Sequence, residues 1–248
     1  MTVRTIAIIQ ARMGSTRLPG KVLAEIGGAS MLAQVVRRLR AARRVGEVVV
    51  ATSTGLDDDA VVTEAVRLGV GVHRGSPGDV LARFRGAARA SRADVIVRVT
   101  ADCPLLDTGV VDRVIGALAG GVDYVSNTHE RSYPRGLDVE VLHRDTLERI
   151  ARLGTSAAAR EHVTAFVMEQ PALFRVAQVV AERDDSDLRW TVDTADDLAL
   201  VRALYAELGL GAGARPYPEI VAAVRARPEL AAANAHVVQK PWQVSDVA

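Results

Sequence analysis

Between Gln10 and Lys21 the chain reads Gln10-Ala11-Arg12-Met13-Gly14-Ser15-Thr16-Arg17-Leu18-Pro19-Gly20-Lys21. These are the parts of an anion cradle. Gly14 and Gly20 let the backbone come close to a ligand, Ser15 and Thr16 add hydroxyl and amide donors, and Arg12, Arg17 and Lys21 bring positive charge. The run is neither a Walker A loop nor a G-x-G-x-x-G fingerprint, so any polyphosphate is gripped by a different geometry. The plain alternative is a solvated basic loop that joins a strand to a helix. Composition adds weight to Lys21: of 31 basic residues only Lys21 and Lys240 are Lys and the rest are Arg. A Lys kept in so Arg-rich a chain points to a need for an ammonium.

Acidic candidates lie elsewhere. An apolar run, Val95 to Val99, ends in Thr100-Ala101-Asp102-Cys103-Pro104-Leu105-Leu106-Asp107. An Asp at the carboxyl end of a central strand, facing a phosphate loop, suits Mg²⁺, which takes one or two protein carboxylates and fills its shell with water and phosphate oxygens. Asp102 is that residue, while Asp107 is the better N-cap for the helix that follows. Asp193, in Trp190-Thr191-Val192-Asp193-Thr194-Ala195-Asp196-Asp197, is the second candidate. Against it stands a helix cap made by Asp193 or Thr194, with Asp196 and Asp197 as cap or first-turn residues. In Tyr133-Pro134-Arg135-Gly136-Leu137-Asp138-Val139-Glu140 a Pro-Gly turn precedes Asp138 and Glu140, which share one face of a strand. Two such carboxylates hold hydroxyl or amine groups of a ligand, or pair with Arg135 or Arg160. Cys103 reads as a small buried residue rather than a nucleophile.

The elements that must position these groups alternate. Strands are expected at Val3 to Gln10, Glu47 to Ala51, Val70 to His73, Val95 to Val99 and Val122 to Val125. Helices are expected at Ser30 to Arg44, Asp57 to Leu68, Pro77 to Ala90 and Asp107 to Ala119. This β-α-β-α order implies a mostly parallel sheet covered on both faces, with ligands beyond the carboxyl ends of its strands. After Asn127 the pattern changes. A strand from Leu137 to Leu142, helices at Asp145 to Leu153 and Ala157 to Glu169, strands at Phe174 to Val180 and Leu188 to Val192, and a helix at Ala195 to Leu208 are expected. A linker, a short helix and an extended tail from Pro228 follow, the tail packing on a partner subunit through Pro241 and Trp242.

With 248 residues, 49% hydrophobic and 25% charged, the chain has the means for a substantial core and is not disordered. Its apolar runs are strand-sized, so no membrane span is expected. A formal net charge of +1 argues against a nucleic-acid binder that works by bulk electrostatics. A single cysteine and no leading signal segment fit a cytoplasmic protein.

The run Ile8 to Leu23, IIQARMGSTRLPGKVL, resembles the signature of the sugar cytidylyltransferases, the group of the CMP-Kdo and acylneuraminate enzymes and of the spore coat polysaccharide biosynthesis protein F family. The likeness runs to about residue 200. It implies a nucleotide-diphospho-sugar-transferase-like, Rossmann-type α/β domain over residues 1–210, with residues 211–248 as a C-terminal appendage. It also implies CTP on the loop, with phosphate contacts from Arg12, Ser15, Arg17 and Lys21 beside Ala11, Gly14 and Thr16. Thr52, Ser53, Arg74, Asp79 and Thr100 would complete the nucleotide pocket. Tyr133, Arg135, Asp138, Glu140, Arg160 and His162 would line the site of a sugar-type acceptor. Mg²⁺ would sit on Asp102 and Asp193, and the enzyme would work as a homodimer. Arg12, Arg17, Lys21 and Asp102 would be the catalytic groups, and loss of the Lys21 side chain would stop turnover without altering stability. Asp79 and Arg83 would otherwise form a surface salt bridge. A glycosyltransferase would need a D-x-D at the end of a central strand; Asp57-Asp58-Asp59 opens a helix and Asp185-Ser186-Asp187 lies in a late loop. The remaining rival is a nucleotide-binding protein without catalysis.

Overall fold

The computed structural model describes residues 3–239. In chain order its elements are β1 (Thr5–Gln10), the hairpin β2 (Glu25–Ile26) and β3 (Ala29–Ser30), α1 (Met31–Ala41), β4 (Glu47–Ser53), α2 (Asp59–Arg67), β5 (Gly71–Gly75), α3 (Val80–Ala90), β6 (Val95–Thr100), α4 (Thr108–Gly116), β7 (Tyr124–Ser126) and β8 (Glu140–His143). There follow α5 (Arg144–Leu153), α6 (Ala157–His162), α7 (Ala165–Glu169), β9 (Val176–Gln178), α8 (Ala195–Leu208), α9 (Tyr217–Arg225) and α10 (Pro228–Ala232).

Seven strands form one mixed sheet in the order β5-β4-β1-β6-β8-β7-β9. β5, β4, β1 and β6 run parallel, while β8 is antiparallel to both β6 and β7. The chain leaves β1 for β4 on one side and reaches β6 on the other, so the crevice beyond β1 and β6 is a topological switch point, where open α/β sheets bind ligands. Register makes this concrete: Gln10 stands opposite both Ala51 and Thr100. The basic loop after β1 and Asp102 after β6 therefore leave the sheet side by side.

Both faces of the sheet are covered, as the parallel pattern demands. Along β1, Ala7 and Ile9 pack into a core shared with α1, α4, α8 and α9, while Ile6 and Ile8 face a second core with α3, α5 and α7. Among the described residues no helix is long and apolar enough to cross a membrane.

The α/β reading of the first half holds, with shifts at element ends. Ser30 is the N-cap of α1 rather than its first residue, and α1 stops at Ala41 because Ala42 is extended. The β2–β3 hairpin was not foreseen, although Gly27-Gly28, both at positive φ, is a strong two-residue turn signal. Three expectations for the second half are corrected. Leu188 to Val192 forms no strand but a single bridge, Arg135 to Arg189. There Gly136 (φ 109°) lies so close that a Cβ would stand 2.5 Å from the Thr191 nitrogen. The helix expected over residues 157–169 breaks at Val163, which is held at φ 58°, and a β-branched residue in that region is costly. The tail beyond Pro228 opens with α10 instead of running extended; Pro241 and Trp242 lie outside the described residues.

Candidate active site

The loop after β1 is tied down by its backbone. Ser15 N and Gly20 N both donate to Met13 O at 2.9 Å, and Gly20 sits at φ 73°, opening the turn into Lys21–Leu23. Its main external anchor is Asp58, which the sequence offered only as part of an acidic helix start. The Asp58 carboxylate is buried and accepts from Met13 N at 2.7 Å, from Ser53 N at 3.1 Å and from the Ser53 hydroxyl. Burial alone would raise its pKa, but these donors outweigh burial and hold it below the usual carboxylate range. Asp58→Ala frees the loop at Met13 and orphans a buried amide, at a cost of about 1–3 kcal/mol. The expected result is a lowered Tm with weakened triphosphate binding, both read in one thermal-shift titration.

Lys21 is at the centre. It is buried, and its Nζ donates to Asp102 Oδ2 at 2.8 Å, to Val192 O at 2.7 Å and to Asp193 Oδ1 at 2.8 Å. Burial pushes the ammonium's pKa down, but the charges of Asp102 and Asp193 outweigh it and leave the pKa raised. Asp193 is the mirror case: burial raises its pKa, and the charges of Lys21 and Arg17 more than reverse that. All three Lys21 protons are committed, so in this arrangement it is a strut between two carboxylates rather than a free phosphate clamp. Arg17 lies 3.0 Å from Asp193 Oδ2, and Arg189 lies 2.7 Å from the same oxygen. Asp102 Oδ1 accepts from the Thr100 hydroxyl at 2.5 Å. Arg12 faces the same cavity, with no side-chain hydrogen bond among the described residues.

The capping question at Asp193 is settled by geometry. Thr194 caps α8 and forms a capping box with Asp197, so Asp193 is left for the site. Asp107 caps α4 through Val110 N at 2.8 Å, leaving Asp102 likewise. Among the described residues no three His, Cys, Asp or Glu side chains gather as a metal cage. Two carboxylates that converge on one ammonium nevertheless fit Mg²⁺, which draws its remaining ligands from water and phosphate.

Because the Asp193 pKa is lowered on folding, its ion pairs contribute stability in full above the unfolded value near 3.8. That contribution is lost as pH falls through the lower folded value. Asp193→Asn therefore narrows the Tm gap to wild type only in acid, which a Tm series from pH 7 down to pH 2 reads out.

Two cavities meet here. One, of about 230 Å³, is lined by Arg12, Gly14, Ser15, Thr16, Arg17, Lys21, Asp102 and Asp193 among others. The other, of about 590 Å³, opens over β6, β7 and β8 and is lined by Arg98, Arg131, Arg135, Asp138, Glu140 and Gln239 among others. Thr100 and His162 line both. The break at Val163 lets consecutive segments serve this junction. His162 closes α6, and the Thr164 hydroxyl donates to Glu140.

In the larger cavity the carboxylates have partners other than those expected. Asp138 takes a bidentate pair from Arg131 at 2.7 and 3.0 Å, and Glu140 pairs with Arg98 and accepts from Tyr124 OH at 2.6 Å. Arg135, the expected partner, has no ion pair among the described residues. Burial, with Arg131 nearby, lowers its pKa from the ordinary guanidinium value. The cavity thus carries one cation more than its carboxylates neutralise. Arg98 and Arg131 were missed, although an Arg inside the apolar run Val95 to Val99 is itself a signal of a buried partner.

Other candidates stand elsewhere. Tyr133 is fully buried, takes an Arg113 hydrogen bond at 3.0 Å and packs edge-on against Tyr217, so it belongs to the core and not to the acceptor cavity. Arg160 pairs with Asp79 at 3.4 Å, joining α6 to α3, and lines neither cavity. Asp79 also caps α3, and the expected Asp79–Arg83 bridge gives way to a buried Arg83 that donates to the Ser76 and Pro77 carbonyls. Arg74 spends its guanidinium on Ser53 O, Gly55 O and Asp59, so it braces the loop after β4. Ala11, Thr52 and Ser53 are buried at the ends of β1 and β4, next to the loop but outside both cavities. Cys103 is buried, as expected. The D-x-D candidates are engaged in structure: Asp58 holds the loop, and Asp185 and Asp187 pair with Arg225.

A family model described as "Cytidylyltransferase" matches residues 6–208. The spore coat polysaccharide biosynthesis protein SpsF of Bacillus subtilis is 38% identical over 210 residues, covering 82% of this chain and 86% of that protein. The 3-deoxy-manno-octulosonate cytidylyltransferase of Anaeromyxobacter dehalogenans is 42% identical over 118 residues, 46% of this chain and 47% of that enzyme. A solved cytidylyltransferase from Leptospira borgpetersenii superposes with a TM-score of 0.88 at 31% identity, covering 92% of this chain and 97% of its own. With the basic loop, the paired carboxylates and the adjoining cavities in place, the chain belongs to the cytidylyltransferase family.

Proposed function

We propose that this chain transfers the cytidylyl group of CTP to a sugar acid and releases pyrophosphate. The observation that carries the reading is the junction of the two cavities: among the described residues, a loop built for phosphates and a cavity with one spare cation share Thr100 and His162 as common wall. The triphosphate lies along Gly14–Thr16, with Arg12 and Arg17 offsetting its charge. The acceptor lies across β6–β8, its carboxylate on Arg135 and its hydroxyls within reach of Asp138 and His162. The acceptor hydroxyl oxygen bonds to the α-phosphorus as the bond to the bridging oxygen of pyrophosphate breaks, and the hydroxyl proton leaves to solvent. The protein's part is positioning and charge neutralisation. Asp102 and Asp193 would hold Mg²⁺, which supplies charge neutralisation at the phosphates and acidifies a bound hydroxyl. Lys21 keeps those two carboxylates at a fixed separation. Exposed Leu173, Val176 and Val180 around the edge strand β9 support a homodimer as part of this reading.

The test is a thermal-shift screen of CTP, UTP, GTP and ATP, each with and without Mg²⁺. The expected result is a shift confined to CTP and enlarged by Mg²⁺; equal shifts for all four, or none, contradict the reading. The acceptor half is tested by Arg135→Ala. Removing a charge-assisted contact of about 1.5–3 kcal/mol raises the KM for a carboxylate-bearing sugar about 10–100-fold and leaves the KM for CTP unchanged.

A further inference from the structure

The family match ends at residue 208, but the site does not. Beyond α8 the chain returns to the body: Leu210, Ile220, Val221 and Val224 are buried in the same core as Trp190 and Tyr205. After α10 it reaches Asn234, which is only 2% exposed. Asn234 Nδ2 donates to Asp197 Oδ1 at 2.7 Å and to the Arg189 carbonyl at 3.0 Å. Asp197 is a fully buried carboxylate whose other oxygen accepts from Asp193 N and Thr194 N, each at 2.9 Å. Arg189 joins the two acids, with Nε 2.9 Å from Asp197 Oδ1 and Nη2 2.7 Å from Asp193 Oδ2. Its remaining nitrogen, Nη1, donates to Gln239 Oε1 at 2.6 Å, and Gln239 lines the larger cavity.

These contacts form one unbroken chain from the C-terminal segment to Asp193. A buried guanidinium shared by two carboxylates can take more than one orientation, and each orientation moves the acid it holds. Here the orientation is set from outside, by Asn234 on Asp197 and by Gln239 on Arg189. We propose that two residues of the C-terminal segment, Asn234 and Gln239, are working parts of the active site. Asn234 is a positioning residue that fixes Asp193 through Asp197 and Arg189, and Gln239 is a specificity-determining residue that meets a hydroxyl or amide of the acceptor. The Gln239 assignment rests on the proposed transfer reaction; the Asn234 assignment rests on the contacts alone.

The experiment uses full-length Asn234→Ala, Gln239→Ala and, as a control on an exposed tail contact, His236→Ala, whose wild-type ring lies 3.0 Å from Asp196. Hydrogen exchange without ligand is measured first. In Asn234→Ala the amides of Asp193 and Thr194 are expected to exchange at least about tenfold faster, while those of β1 and β6 keep their wild-type rates. Unchanged exchange at Asp193, or equal acceleration throughout the sheet, overturns the positioning role. With rates referred to the folded fraction of each protein, the same variant should lower kcat with little change in the KM for CTP. Pyrophosphate release is then followed with CTP, Mg²⁺ and 3-deoxy-manno-octulosonate as the probe acceptor. Gln239→Ala is expected to raise the acceptor KM about fivefold, the effect of one hydrogen bond, with the CTP KM unchanged; an unchanged acceptor KM overturns its assignment. His236→Ala should match wild type in every reading, and a similar loss there would show that any disturbance of the tail suffices and overturn both roles. A wild-type chain inert with CTP and this acceptor overturns the transfer reading and the Gln239 assignment with it, while the exchange result still decides the Asn234 assignment.

Discussion

Lys21→Ala is expected to lose turnover by about 10³-fold and, in the same protein, to lose stability. The strut it removes is buried and satisfies two carboxylates and a carbonyl at once. Taking one partner out of a buried ion pair leaves uncompensated charge and costs about 3–5 kcal/mol. Arg17 and Arg189 still face Asp193, so the loss falls mainly on Asp102 and on the Val192 carbonyl. The loop composition alone pointed to a phosphate ligand that could be removed without structural cost; the structure replaces that expectation with a coupled one. Chemical denaturation and steady-state kinetics on the same preparation distinguish them. A variant that is inactive but as stable as wild type would show Lys21 to be a free phosphate contact.

Asp102→Asn should be nearly as severe for turnover and much milder for stability. The amide keeps the shape: its single oxygen can still accept from Lys21, while its NH2 group turns to donate to the Thr100 hydroxyl, and Asp193 and Val192 hold the ammonium as before. What is lost is the charge on one of the two acids that converge at the mouth of the phosphate loop. Since Mg²⁺ takes few protein ligands, losing one of two anionic ones should lower kcat by about 10³-fold and raise the Mg²⁺ concentration needed for half-maximal rate. Rate against Mg²⁺ concentration for the two proteins is the check, and an unchanged Mg²⁺ curve would remove Asp102 from the metal site.

What the sequence makes legible here follows from the range of each interaction. The basic loop, the strand before it and Asp102 after β6 are local patterns, and parallel pairing brings their ends together without further information. The cap at Asp107 is equally local and legible, whereas the sequence reads Ser30 as a helix residue and leaves the cap of α8 between Asp193 and Thr194; in the structure Ser30, Asp107 and Thr194 are the caps. The pairing of Lys21 with Asp193 spans 172 positions, and that of Arg98 with Glu140 spans 42. No periodicity encodes which arginine meets which acid. Hence the sequence offers Asp138 and Glu140 either a ligand's hydroxyl or amine groups or Arg135 and Arg160, whereas Arg131 and Arg98 hold them. Tyr133 was drawn toward the acceptor by its neighbours on the Pro-Gly turn, although a tyrosine with partners on two other segments belongs in a core. The break at Val163 is masked because good helix formers flank it, Ala157 to Glu161 on one side and Ala165, Met168 and Glu169 on the other, although His162-Val163-Thr164 are weak ones. With Val163 at positive φ the chain turns so that the Thr164 hydroxyl reaches Glu140.

The central claim is a transfer between two adjoining cavities, and its most direct test is product analysis. The purified chain is incubated with CTP, Mg²⁺ and 3-deoxy-manno-octulosonate, and the mixture is examined by phosphorus NMR and mass spectrometry. The account predicts pyrophosphate and a CMP-linked sugar acid in equal amounts, with neither formed when UTP, GTP or ATP replaces CTP or when the acceptor is left out. Release of a free nucleoside phosphate from a nucleotide sugar, or no pyrophosphate with any sugar acid while CTP is bound, would contradict it.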